Sequence, residues 1–276
     1  MDSLVSTQWL ARELDASDIV ILDATMHLPD EQRQARADFL AGHIPGARFL
    51  NLADFVDQGA DTPKAVPNAE QFAQRMAQLG IAPTSRVVLY DDSAIRSAAR
   101  AWFIFDYYGF DDVAILDGGI AKWRTEQRPL ESGKPDISEA QFPVPQPHRE
   151  LRSKADMLAN CSSHAEQVVD ARDAARFAGE DGSGSDGHIP GAKNLPFARL
   201  FEGDGTYKSA PAIRDEFDRA GVDLSKPVIT SCNSGMTAAV LLFGLHLADK
   251  GAALYDGSWM EWGEDPATPK EKGAVH

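Results

Sequence analysis

The residue best placed to do chemistry is Cys232, set in the stretch SCNSGMTAA at 231–239 between a short apolar run and a longer one. The chain of 276 residues has one other cysteine, Cys161. Two thiols are too few for a disulfide framework and lack metal-ligand spacing, so each is read as an individual thiol. Cys161 lies in the polar stretch MLANCSSHAEQ at the end of an expected helix, with no strand or glycine turn around it, and reads as an unremarkable thiol. Cys232 differs. The run PVITS before it reads as a buried strand, and TAAVLLFGLHLADKG after it reads as a helix. Asn233, Ser234, Gly235, Met236 and Thr237 must therefore turn the chain tightly, Gly235 by taking a positive φ and Thr237 by capping the helix. Such a turn aims backbone N–H groups inward and adds the positive end of the helix dipole, which makes an anion nest, a setting that favours a thiolate. The plainer alternative is a small buried cysteine that packs like alanine.

The elements that position this loop occur twice. AGHIPGARFLNL at 41–52 recurs as DGHIPGAKNLPF at 186–197. Ahead of each lies a short apolar strand ending in aspartate, VILDAT (20–25) and QVVDAR (167–172). After each comes a second strand, RVVLYDD (86–92) and PVITSCN (227–233), and finally LDGGIAKW (116–123) is answered by YDGSWMEW (255–262). The pairs keep their order about half a chain length apart, the mark of a duplicated unit. Strands alternating with helical stretches such as NAEQFAQRMAQLG require crossover connections. The fold class is therefore α/β, with two similar domains, each a parallel sheet covered by helices on both faces. The stretch ESGKPDISEAQFPVPQPH is rich in proline and without periodicity, which suits a linker. Residues 1–131 form the expected first domain, 132–150 the linker and 151–276 the second domain.

In an open parallel sheet, ligands bind beyond the carboxyl ends of the strands, where Cys232 is expected. At the corresponding place of the first half stands Asp91, in a loop expected to be one residue longer. A carboxylate is no sulfur nucleophile, so the first domain reads as an inactive copy and the second as catalytic. The histidines His43 and His188 both lie in GHIPGA turns; because one of them is in the half without the cysteine, a turn-stabilising role is favoured for both. Trp259, Glu261 and Trp262 are candidates for the wall of the site or for core packing. GEDGSGSDG at 179–187 has the composition of a phosphate loop but carries acidic residues and no P-loop lysine, and reads as a mobile surface loop.

The formal net charge of -15 works against binding nucleic acid or an anionic membrane, so an anionic substrate needs a local positive site. The N-terminal stretch has no basic start followed by an apolar block, and no run of about 18 apolar residues occurs, so a soluble cytoplasmic protein is expected.

Tandem GHIPGA turns, the loop CNSGMTA and the closing YDGSWMEWG together resemble the rhodanese superfamily, and within it the two-domain thiosulfate and 3-mercaptopyruvate sulfurtransferases. The resemblance covers nearly the whole chain. It implies that Cys232 takes a sulfane sulfur from a small-molecule donor, holds it as a persulfide among the loop N–H groups, and passes it to an acceptor. The acceptor would be thioredoxin, another thiol or cyanide; no cofactor or metal is implied. The uncharged loop leans toward 3-mercaptopyruvate, since thiosulfate, a small dianion, favours cations beside the cysteine. The resemblance then implies Ser234 near the donor's carbonyl oxygen and Arg176 as the carboxylate anchor, in preference to Arg172; a guanidinium fork suits both carboxylate oxygens. Local pairing of both arginines with aspartates is the competing reading. Three family features are missing: a second arginine upstream of the second GHIPGA, and an Asp and a His in the first half, whose places are taken by Ala53 and Lys64. Thiosulfate therefore stands as the alternative donor. Two other functions compete. A cysteine phosphatase would need an arginine where Ala238 stands, and a non-catalytic docking module would not need Cys232, Ser234 and Gly235 intact.

Overall fold

The computed structural model describes residues 1–273, so positions 274–276 of the expected second domain lie outside the described residues. In the first half the elements run β1 (Leu4–Val5), α1 (Thr7–Glu13), β2 (Ile19–Asp23), α2 (Ala35–Ala41), β3 (Arg48–Phe49), α3 (Ala69–Gln78), β4 (Arg86–Tyr90), α4 (Ala98–Tyr107), β5 (Val113–Leu116) and α5 (Gly119–Thr125). The second half repeats them as β6 (Leu151–Arg152), α6 (Lys154–Ser163), β7 (Gln167–Asp170), α7 (Ala174–Ala178), β8 (Lys193–Asn194), α8 (Ala210–Arg219), β9 (Val228–Ser231), α9 (Met236–Leu247), β10 (Ala253–Tyr255) and α10 (Ser258–Trp262).

Each half builds one five-stranded sheet, in the orders β1-β5-β4-β2-β3 and β6-β10-β9-β7-β8. Every pairing in them is parallel. The connection from β2 to β3 steps outward and the next, from β3 to β4, steps back. Right-handed crossovers then place α2 and α3 on opposite faces. The strand alternation agrees: Ile21, Val88, Tyr90, Ala114 and Leu116 share a buried cluster with Leu10, Phe39 and Trp123 of α1, α2 and α5. In the second half Val168, Ile229 and Tyr255 pack with Met157, Phe177 and Trp262 of α6, α7 and α10. The two-residue edge strands are too short to show a period in the sequence, and only the central strands were legible there.

By contacts the chain divides into two compact units. The first holds Met1–Asp57, Val66–Arg149 and Gly203–Tyr207; the second holds Gln58–Ala65, Glu150–Glu202 and the chain from Lys208 onward. Residues 132–150 have almost no regular structure, yet they run along the first unit. Ala140 N–H donates to the Ala77 carbonyl (3.0 Å) and His148 N–H to that of Tyr107 (2.7 Å), and Phe142 packs edge-on to Phe72. No helix among the described residues is long and apolar enough to cross a membrane.

Both GHIPGA turns are built alike. His43 Nδ1–H donates to the Phe39 carbonyl (2.8 Å) and His188 Nδ1–H to that of Phe177 (2.7 Å). Each imidazole stacks on that same phenylalanine, with centroids 4.0 Å and 3.7 Å apart. The backbone beyond the closing helix then pairs with each histidine, Glu131 with His43 and Glu271 with His188. Identical contacts in both halves support the turn-stabilising role.

Candidate active site

Cys232 follows the last residue of β9 and is buried, 1% exposed. The neighbouring strand β7 stays paired up to this edge, where the Ala171 N–H donates to the Ser231 carbonyl at 2.8 Å. The exits of β7 and β9, which carry Arg172 and Cys232, therefore lie side by side at the carboxyl end of the sheet. Gly235 has φ +74° and is itself the residue that caps α9. The expectation that Thr237 caps the helix is corrected: Thr237 is the second residue of α9, because the left-handed turn at Gly235 starts the helix earlier. As the first residues of that helix, Met236 and Thr237 have N–H groups with no acceptor inside it. Ser234 and Met236 are buried beside the cysteine, Thr237 is half-buried, and Asn233 is exposed.

The loop is braced from the start of α10. Trp259 N–H donates to the Cys232 carbonyl (3.0 Å) and Met260 N–H to that of Asn233 (2.8 Å). The Ser258 hydroxyl accepts from Cys232 N–H (3.1 Å) and from Gly235 N–H (3.2 Å), and donates to the Tyr255 carbonyl (2.9 Å). Sequence reasoning missed Ser258. Its signal was the change from DGG at 117–119 to DGS at 256–258.

The two candidate arginines have different surroundings. Arg172 is buried and ion-paired with Asp170 (2.6 Å). It also donates to Ser185 Oγ and to the Gly187 carbonyl, both at 2.9 Å, and its guanidinium lies 4.5 Å from the centroid of the Trp259 ring. Its donors are thus committed within the fold, and they tie down the end of the 179–187 loop. Arg176, near the end of α7, is 46% exposed and pairs with Asp173, the residue that caps that helix. Asp173 is held below the ordinary carboxylate range: partial burial opposes this, but the N–H and guanidinium of Arg176 outweigh it. Trp259 is buried between the loop and Arg172, whereas Trp262 is fully buried and bonds the Pro269 carbonyl. Glu261 accepts the Tyr255 hydroxyl at 2.8 Å. Lys64, exposed and with φ +53°, lies in the segment Gln58–Ala65 that belongs to the second compact unit. Ala53 lies exposed in the first.

The first half shows what this kind of loop attracts. Asp91 follows β4, and its carboxylate accepts from Ser93 N–H (3.1 Å) and Ala98 N–H (2.7 Å). An internal anion thus fills the turn. Burial pushes its pKa up to about 6, against the lowering effect of the two N–H groups. Ile120 N–H donates to the Asp91 carbonyl (3.2 Å) as Trp259 N–H does to that of Cys232. Residues 91–97 precede α4 while only 232–235 precede α9, a larger difference than the one residue expected. Ser97 precedes α4 with helical backbone angles, and the left-handed turn before it falls at Arg96, φ +53°, where the second half has Gly235.

The Rhodanese-like domain matches residues 6–126 and again residues 153–265. The chain belongs to the rhodanese family. It is 38% identical over 271 residues to 3-mercaptopyruvate sulfurtransferase of Mus musculus, covering 94% of this chain and 91% of that one. It is 35% identical over 269 residues to thiosulfate sulfurtransferase of Gallus gallus, covering 94% and 93%. Among solved structures it resembles SseA from Escherichia coli, described as a 3-mercaptopyruvate sulfotransferase, with a TM-score of 0.86, 36% identity and coverage of 94% and 99%. Sulfurtransferase is the class shared by these relatives, and this rhodanese chain is an enzyme of that class.

Proposed function

We propose that this rhodanese moves a sulfane sulfur from 3-mercaptopyruvate to a thiol or to cyanide through a persulfide on Cys232. The Cys232 thiolate attacks the donor sulfur, and the carbon–sulfur bond breaks. Its electron pair passes to the pyruvate enolate, which takes a proton and leaves as pyruvate. An acceptor thiolate or cyanide then attacks the outer sulfur and returns the cysteine to its starting state. Arg176 holds the donor carboxylate, Ser234 bonds the carbonyl or enolate oxygen, and the N–H groups of Asn233, Met236 and Thr237 receive the anionic sulfur, while Gly235, whose own N–H goes to Ser258 Oγ, supplies the turn that aims them. Residues 151–276 act as the catalytic domain and 1–131 as the copy without a nucleophile, joined by 132–150. Two free cysteines and no disulfide fit a reducing cytoplasm.

The observation that carries this reading is a buried cysteine at a strand end, followed by an uncharged turn at a helix N-terminus, with an internal carboxylate occupying the equivalent turn of the other half. The relative named thiosulfate sulfurtransferase supports thiosulfate as a second donor by the same mechanism. The absence of a cation between Cys232 and Ala239 supports mercaptopyruvate.

Paired rates with 3-mercaptopyruvate and thiosulfate on wild type, Cys232→Ser and Arg176→Ala test it. Mercaptopyruvate is turned over faster, Cys232→Ser is inactive, and mass spectrometry finds one added sulfur on Cys232 after donor alone. Faster thiosulfate turnover would reassign the donor and leave the persulfide intact. No added sulfur on Cys232 with either donor would overturn the persulfide reading.

A further inference from the structure

We infer that Ser258 is a positioning residue that shapes the Cys232 loop for a sulfur anion; this rests on the persulfide reading of Cys232. Its hydroxyl proton goes to the Tyr255 carbonyl, so the lone pairs of Oγ are what face the loop, where they accept the N–H groups of Cys232 and Gly235. Those two residues bracket the turn. One oxygen therefore fixes both ends of it, and the N–H groups in between are held at a set spacing before any charge arrives. Preorganised donors of this kind need no rearrangement when charge develops on the atom they face.

The backbone argues that the hydroxyl has a purpose. Ser258 is fully buried and has φ +50°, a left-handed conformation that non-glycine residues adopt only at an energetic cost. The first half has Gly119 at the same place, with φ +55°. A Cβ there would lie 2.5 Å from the Asp91 carbonyl oxygen, so that half is closed to serine. There the Asp91 carboxylate organises the turn from within. In the second half a cysteine cannot do so, because its sulfur must stay available, and the bracing comes from Ser258 outside the turn. The half with the nucleophile thus accepts an unfavourable backbone angle that the other half avoids.

The test compares wild type, Ser258→Ala and Ser258→Gly. The glycine variant removes the hydroxyl while relieving the left-handed angle, so it stays informative if the alanine variant fails to fold. Measurements are kcat and KM for 3-mercaptopyruvate, and the pH profile of iodoacetamide alkylation followed at the Cys232 peptide, which separates it from Cys161. Both variants lose about ten-fold or more in kcat with donor KM changed less than about three-fold, as expected when donors to developing charge are misplaced but donor binding is spared. The midpoint of Cys232 alkylation moves to higher pH. A folded Ser258→Gly protein with wild-type kcat and an unchanged alkylation profile would overturn the proposal, even if its Tm were lowered. Failure of wild type to gain sulfur at Cys232 would instead remove the persulfide reading beneath it.

Discussion

At the scale of single residues, Arg172 and Arg176 show how two arginines four apart take different work. Arg176 is half in solvent with one aspartate partner, so it can exchange that partner for a carboxylate ligand at little cost; exposed pairs contribute only about 0–1 kcal/mol. Arg176→Ala therefore raises the donor KM by about ten-fold, consistent with loss of a charge-assisted carboxylate contact, and leaves Tm near wild type. Arg172 is buried with Asp170. Arg172→Ala leaves that carboxylate buried without its partner and costs about 3–5 kcal/mol, read as a lower urea midpoint. Equal stability of the two variants would refute this division. The strand-to-helix setting of Cys232 was legible from the residues, whereas Arg176 came forward only through the family resemblance. Ser258 was not, because the groups it joins lie far back in the sequence and meet only when β9 and β10 are paired.

At the scale of elements, the two strand–turn–helix units differ in how an anion enters the turn. In the first, burial raises the pKa of Asp91 to about 6 from the ordinary aspartate value of 3.8. Its folded pKa is above its unfolded one, so its contribution to stability is fully present below the unfolded value and is lost as pH rises through about 6. Compared with Asp91→Asn, which does not titrate, wild type should gain as pH falls from 7 to 4, by up to about 3 kcal/mol. Urea unfolding of both proteins across that window checks it, and a difference independent of pH would show that Asp91 is not the titrating group. The sequence revealed that Asp91 replaces the cysteine. The length of its loop and the capture of two N–H groups by its own carboxylate depend on where α4 begins, which no local pattern states.

At the scale of the whole molecule, the net charge of -15 opposes the approach of any anionic donor. Screening should therefore help: kcat/KM for 3-mercaptopyruvate is expected to rise, up to about two-fold, as salt goes from about 0.01 M to about 0.15 M and the Debye length shrinks from about 30 Å to about 8 Å. A fall in kcat/KM would mean that local cations such as Arg176 outweigh the global field. The duplication is also a property at this scale. Both halves have the same strand order and the same histidine-on-phenylalanine turn, because the apolar periods and the GHIPGA segments are written twice.

The amino-acid order by itself determined the α/β class, the repeat, the central strands and the strand-to-helix setting of Cys232, since these follow from local period and from glycine and proline chemistry. Tertiary structure alone decided which arginine is buried against Asp170, which residue caps α9, and that Ser258 holds both ends of the cysteine loop. The physical reason is the same in each case. A buried hydroxyl, carboxylate or guanidinium takes its role from the partners that packing brings to it, and those partners come from strands and loops distant in sequence.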